Sequence, residues 1–208
     1  MKQLIKSIES LKNSNISNIV DKRINQFSSV SNSGIDEIFK ELCFCIMTAN
    51  CGAKKCIEVQ QKINDGFLTY SEDELKIKFK EFGYRYPNIR AKYIIEARGY
   101  LPDLERQLNS NIDETELRDW IVKFIKGLGY KEASHFLRNI GYRNFAIIDF
   151  HIIDLMVSYS IIEKPKALTK KKYLEIETIL KEIGDKLKLD MGKLDLYLWY
   201  METSEVLK

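Results

Sequence analysis

The chain has 208 residues, 45% of them hydrophobic, and a formal net charge of +3. That length supports one sizeable core or two small lobes, and the composition excludes a wholly disordered chain. No apolar run approaches the roughly 20 residues that span a bilayer, and Met1-Lys2-Gln3-Leu4-Ile5-Lys6 has no signal-peptide core, so a soluble, intracellular protein is expected; with both charge signs mixed along the chain, net charge alone does not indicate nucleic acid.

Strand signals are weak and helical ones recur from end to end. Leu4, Ile5, Ile8 and Leu11 repeat at helix spacing. After Ser33-Gly34, the residues Ile35, Ile38, Phe39, Leu42, Cys43 and Ile46 form a strongly periodic stretch that ends near Asn50-Cys51-Gly52. A helix is predicted from Ala53 to about Ile63, stopped by Asn64-Asp65-Gly66. Ser71, followed by Glu72, Asp73 and Glu74, starts another, because acids there meet unpaired amides; Gly83 ends it. Further helices are read over Asn88 to about Ala97, Asp103 to Leu108 after a Leu101-Pro102 turn, and from an Asp113 cap to about Lys126. Others run from the Gly127-Leu128-Gly129-Tyr130 segment to about Ile140, over Ile152 to Tyr159 with Asp149 as cap, over Lys170 to Ile183, and over Met191 to Tyr200. The sum is around ten ordinary helices joined by short turns. No period of 30 to 45 residues suggests a solenoid. The expected fold is all-α, as two packed lobes; an ordinary helical bundle is the alternative.

Cys43, Cys45, Cys51 and Cys56 lie close together in apolar, helical surroundings. With only two histidines in the chain, buried or half-buried free thiols are favoured over a metal site, which needs four convergent ligands. No cofactor or metal is predicted.

Lys126-Gly127-Leu128-Gly129-Tyr130-Lys131-Glu132-Ala133 carries the most information. Two glycines flank one apolar residue between two helical patterns, and each permits backbone angles that other residues resist. Leu128 can plug inward. The amides of Gly129, Tyr130 and Lys131 then face outward at a helix start, which suits a DNA phosphate and reads backbone rather than bases. A plain helix–turn–helix connection is the alternative. Lys131 falls in the first turn, where the helix dipole disfavours its charge. Partial burial adds to this, and both favour the neutral amine that a nucleophile requires. Otherwise it is an exposed phosphate-binding lysine. Eighteen residues on, Asp149 follows the apolar run Ile147-Ile148 and opens a helix. It reads as a cap, and a carboxylate held by its own helix is also placed to face an amine and a developing positive charge. His151 can bond locally or contact phosphate, and His135 reads as a packing or surface residue. Tyr84, Tyr86 and Trp199 are candidate aromatics for a base pocket or wedge.

At these residues the chain resembles a known family. Gly127-Leu128-Gly129-Tyr130-Lys131 followed by Asp149 resembles the helix-hairpin-helix (HhH-GPD) DNA glycosylases. Together with Phe44–Asn50, Tyr84–Ile94 and Lys131–Asn139, nearly the whole chain is similar to the compact archaeal and bacterial type-2 8-oxoguanine DNA glycosylase/lyases. The resemblance implies two helical lobes around a DNA-binding cleft. Residues 1–32 and 145–208 would build the terminal lobe. Residues 33–144 would build the central one, with the helix-hairpin-helix at about 113–140.

It also implies Lys131 and Asp149 as catalytic residues, with Lys208 and Trp199 recognising the base. Gly127, Gly129, Tyr130 and His151 would bind the DNA backbone, and Arg85 and Tyr86 would border the gap left by a flipped base. Phe150 stands where many members carry a basic residue, which implies one weakened phosphate contact and leaves the chemistry intact. No cysteine follows Cys56, so the four-cysteine iron–sulfur loop of one branch is excluded. The implied activity is excision of 8-oxoguanine through a lysine Schiff base, with strand cleavage by β-elimination. The expected partner is duplex DNA containing an oxidised guanine. A cytoplasmic monomer, nucleoid-associated when bound to DNA, is expected, with no membrane and no obligate protein partner. A related glycosylase for another damaged base, or a non-catalytic helix-hairpin-helix DNA-binding protein, is the alternative.

Overall fold

The computed structural model describes residues 1–208. Every regular element is a helix: α1 (Lys2–Lys12), α2 (Ile16–Val30), α3 (Ile35–Thr48), α4 (Ala53–Ile63), α5 (Gly66–Thr69), α6 (Glu72–Glu81), α7 (Pro87–Arg98), α8 (Leu101–Leu108), α9 (Glu114–Phe124), α10 (Tyr130–Asn139), α11 (Phe150–Ser158), α12 (Lys170–Leu187) and α13 (Met191–Thr203). The all-α expectation is met. The chain divides into two compact units. One comprises Met1–Ser29 with Leu137–Lys208, and the other Val30–Phe136. The divisions fall inside α2 and α10.

The Val30–Phe136 unit is organised on α3. Every residue from Ile38 to Thr48 is buried, because this helix is apolar on nearly all sides. It packs against α4, α5, α7 and α8. Lys40 is carried into this environment and is held by Glu37 at 2.6 Å and Asp65 at 2.5 Å. The predicted start of α6 is a complete capping box. Ser71 Oγ accepts from the Glu74 amide, and the Glu74 carboxylate accepts from the Ser71 amide.

In the other unit α1, α12 and α13 pack together and α11 lies on α13. Its interior contains an ion pair between Arg138 and Asp195, whose side chains are 5% and 11% exposed. Arg138 also bonds Asn139 Oδ1 and lies over the Phe27 ring.

Several boundaries differ from the periodicity. The predicted set contains neither α2 nor α5. Ile16, Val20, Ile24 and Phe27 form the buried stripe of α2, but serine and asparagine, weak helix formers, fill much of the rest. Leu101-Pro102 is the first turn of α8, not a separate turn; a proline there needs no N–H. α9 stops at Phe124 because Ile125 is already extended, at φ −95° and ψ 104°, on entering the hairpin. α12 runs past Ile183 to Leu187. Gly184 stays in the helix because a β-carbon there would lie 3.0 Å from the Leu189 carbonyl.

Asp195→Ala strands the Arg138 charge in the core. It is expected to lower unfolding stability by about 3–5 kcal/mol, measured by urea denaturation. The paired replacement Arg138→Met with Asp195→Leu should cost clearly less.

Candidate DNA-repair active site

The lysine and the aspartate belong to different compact units, and each is built by a helix start. In the Val30–Phe136 unit, α9 leads through Ile125 into the glycine hairpin. Gly127 has φ +88°, and a β-carbon there would lie 2.6 Å from Tyr93 Cδ2 and 3.2 Å from Arg90 Nη1. Glycine is required at this position twice over, by conformation and by close approach. Leu128 plugs inward as expected and is 5% exposed. The Gly129 carbonyl accepts from the Ala133 amide at 2.9 Å, which makes Gly129 the first residue of the α10 turn.

One amide at this turn differs from the outward-facing picture, and the Tyr130 side chain is tied to α9. The Gly129 amide already donates to Glu132 Oε2 at 3.3 Å. The Tyr130 hydroxyl donates to Asp119, and Arg118 lies over its ring. Lys131 is half-buried, and its Nζ lies 3.8 Å from Glu132 Oε1. Glu132 had no role in the sequence reading, although a glutamate three residues after a helix-start glycine is the spacing that lets a carboxylate reach back to the first amide.

Arg85 and Tyr86 are joined to the hairpin within this unit. The exposed Arg85 lies over the Tyr86 ring at 5.0 Å, and Arg90 lies near both Tyr86 and Tyr93, at 5.9 and 5.7 Å. Arg90 also donates to the Ala49 carbonyl at 3.0 Å. Tyr84 is not available as a pocket wall or wedge. It is 4% exposed, its hydroxyl donates to the Met47 carbonyl at 2.6 Å, and burial pushes its phenol well above the usual range. His135 is not a surface residue. It is buried edge-on against Phe44, with ring centres 5.6 Å apart. The four cysteines are free thiols, three buried and Cys51 half-buried.

In the unit containing the termini, Phe145–Ile148 is buried but not helical. Its backbone is paired from α12. The Ala146 amide donates to Glu177 at 2.9 Å, the Tyr173 hydroxyl donates to the Ala146 carbonyl at 2.7 Å, and the Ile148 amide donates to the Tyr173 oxygen at 3.3 Å. This fixes the chain as it reaches Asp149, whose Oδ1 accepts from the Ile152 amide at 3.1 Å and caps α11. Phe150 is 66% exposed. Its ring centre lies 4.0 Å from that of His151, which meets Trp199 edge-on at 5.2 Å. The Trp199 indole nitrogen is buried without a hydrogen-bond partner. After α13 ends at the left-handed Ser204, residues Glu205, Val206, Leu207 and Lys208 are half-buried.

The sequence profile of the Ogg-HhH family, 8-oxoguanine DNA glycosylase, matches residues 20–189. The chain belongs to the 8-oxoguanine DNA glycosylase family. It is 50% identical over 206 residues to the 8-oxoguanine DNA glycosylase/AP lyase of Methanocaldococcus jannaschii, covering 99% of both chains. It is 48% identical to the enzyme of the same description from Korarchaeum cryptofilum, covering 99% of this chain and 98% of that one. The crystal structure of the M. jannaschii 8-oxoguanine glycosylase/lyase in complex with a 15-mer DNA containing 8-oxoguanine superposes with a TM-score of 0.96 at 49% identity, covering 99% of this chain and all of that one. The Thermotoga maritima 8-oxoguanine DNA glycosylase superposes at 0.93 with 38% identity, covering 100% of this chain and 99% of that one. In this family member the hairpin, its lysine and the capped aspartate all fall within the matched residues.

Gly127→Ala is expected to cost about 1–3 kcal/mol, from left-handed strain and the Tyr93 contact. The melting temperature should fall, and affinity for duplex DNA should fall with it at temperatures where the variant is folded.

Proposed function

We propose that the chain is a bifunctional 8-oxoguanine DNA glycosylase and AP lyase, with Lys131 as nucleophile and Asp149 as its partner in charge and proton handling. The observation that carries this reading is one helix start in each unit, a half-buried amine in the first turn of α10 and a carboxylate fixed as the cap of α11. They occur in a chain similar over nearly its full length to a glycosylase/lyase crystallised with 8-oxoguanine DNA.

Base removal from a duplex requires the nucleotide to leave the stack. The hairpin glycines present a helix start to the backbone, and Arg85 with Tyr86 supplies a cation and an aromatic face suited to the vacated stack. The neutral Lys131 amine attacks C1′ as the C1′–N9 bond breaks, and the base leaves with the proton that the amine gives up, handed on through Asp149. Asp149 takes up the proton released by the amine and stabilises the positive charge on the sugar. The sugar ring opens to a Schiff base. Loss of a C2′ proton then expels the 3′ phosphate and nicks the strand. Nucleophile and acid–base group both come from the chain, so the reading calls for no metal or organic cofactor.

Trp199 and Lys208 are proposed to read the base. The buried, unpartnered indole N–H of Trp199 is a donor beside an aromatic wall. Lys208 offers an ammonium, a donor that suits the acceptors of a guanine edge. The enzyme is proposed to act as a monomer in the cytoplasm, without an obligate protein partner.

Borohydride added during turnover should trap wild-type protein on 8-oxoguanine DNA, and Lys131→Gln should give no adduct; an active, trappable Lys131→Gln protein would sink the scheme. Asp149→Asn should keep duplex affinity while base release slows by about 100-fold or more. Equal loss of binding and rate would reduce Asp149 to a structural cap. Deleting Lys208 should narrow the ratio of 8-oxoguanine to guanine excision, and an unchanged ratio rejects its role in recognition.

A further inference from the structure

Neighbouring residues on a helix point about 100° apart and do not ordinarily face each other. Lys131 and Glu132 nevertheless meet, with Nζ and Oε1 3.8 Å apart and side chains only 22% and 16% exposed. The other carboxylate oxygen accepts from the Gly129 amide at 3.3 Å. Both side chains therefore turn back to the start of α10. The hairpin amide suited to a DNA phosphate is occupied by another anion, and that anion also touches the nucleophile. A simple helix-capping glutamate accounts for the bond to Gly129 but not for the contact with Lys131.

We propose that Glu132 is a positioning residue that couples the backbone grip to the nucleophile. In the DNA-free chain its carboxylate holds the Lys131 ammonium and fills the phosphate's place at Gly129; phosphate arriving there displaces it and frees the amine. This rests on Lys131 being the nucleophile. A carboxylate beside an amine favours the protonated form, so Glu132 restrains the chemistry until DNA is engaged. Within the Val30–Phe136 unit, Glu132 on its own helix and Cys56 on α4 lie by Lys131, and Asp149 is the further carboxylate that the proposed function sets against the amine. Burial, and next the neighbouring Cys51, pushes the Cys56 thiol far up, so it stays protonated and brings no charge. Within this unit the charge beside the amine is that of Glu132.

The test is the pH dependence of single-turnover base release from an 8-oxoguanine duplex by the wild type and Glu132→Gln, with borohydride trapping in parallel. Glutamine keeps an acceptor for the Gly129 amide and removes the charge. The alkaline rise of the rate should set in at lower pH than in the wild type. Affinity for a duplex carrying an uncleavable abasic-site analogue should rise several-fold, because no anion competes with the phosphate. An unchanged midpoint, or an unchanged or weaker affinity, overturns the proposal. Glu132→Asp, which keeps the charge on a shorter arm, should retain the wild-type midpoint. A shift matching that of Glu132→Gln would place the effect in the cap rather than the charge and overturn it as well. If wild-type protein forms no trapped adduct, it is the assignment of Lys131 that fails.

Discussion

The first amides of a helix have no partners within it, and the exposed positive end of the helix dipole makes that place favourable for an anion and unfavourable for a cation. Both residues proposed for the chemistry depend on that constraint. Asp149 obeys it: its carboxylate satisfies the Ile152 amide and is anchored in return. Lys131 violates it, since an ammonium in the first turn is repelled by the dipole. In the DNA-free chain the violation is offset by Glu132, which meets the Gly129 amide and the ammonium together.

The surrounding structure keeps these two helix starts in place. Gly127 turns the chain at a positive φ where no other side chain would fit against Tyr93, and the buried Leu128 pins the turn from the inner side. On the aspartate side, Tyr173 and Glu177 pair the backbone of Ala146 and Ile148. That segment would otherwise carry unsatisfied polar groups into the interior. Both devices are backbone arrangements, and they leave the faces of Lys131 and Asp149 free to be specified by substrate chemistry. The exposed Phe150 ring lies tilted against His151 beside the aspartate cap.

Much of this was legible in the sequence. Helix spacing identified most of the elements, and the two glycines around Leu128 marked the hairpin, with Lys131 and Asp149 placed at the helix starts beyond it. Each of those features is local: a period, a cap, a turn that only glycine makes. The apolar surroundings likewise indicated that Cys43, Cys45 and Cys56 would be buried thiols. What local pattern could not supply was the fate of side chains whose partners are distant in sequence. Tyr84 looked like a pocket aromatic until its hydroxyl was seen bonded to Met47, 37 residues away. Tyr130 looked like a phosphate neighbour, and its hydroxyl is bonded to Asp119 on the preceding helix.

The sequence by itself determined the helical class, the glycine hairpin, and the identities of an amine and an acid at two helix starts, because periodicity, capping and turn chemistry act over a few residues. Tertiary structure decided which aromatics are core. It carried α12 through Gly184, where a side chain would meet the Leu189 carbonyl. It also brought the Lys131 and Glu132 side chains together although their positions on the helix point them apart. Those outcomes depend on close packing and on pairing every buried polar group, constraints set by neighbours that the linear pattern does not name.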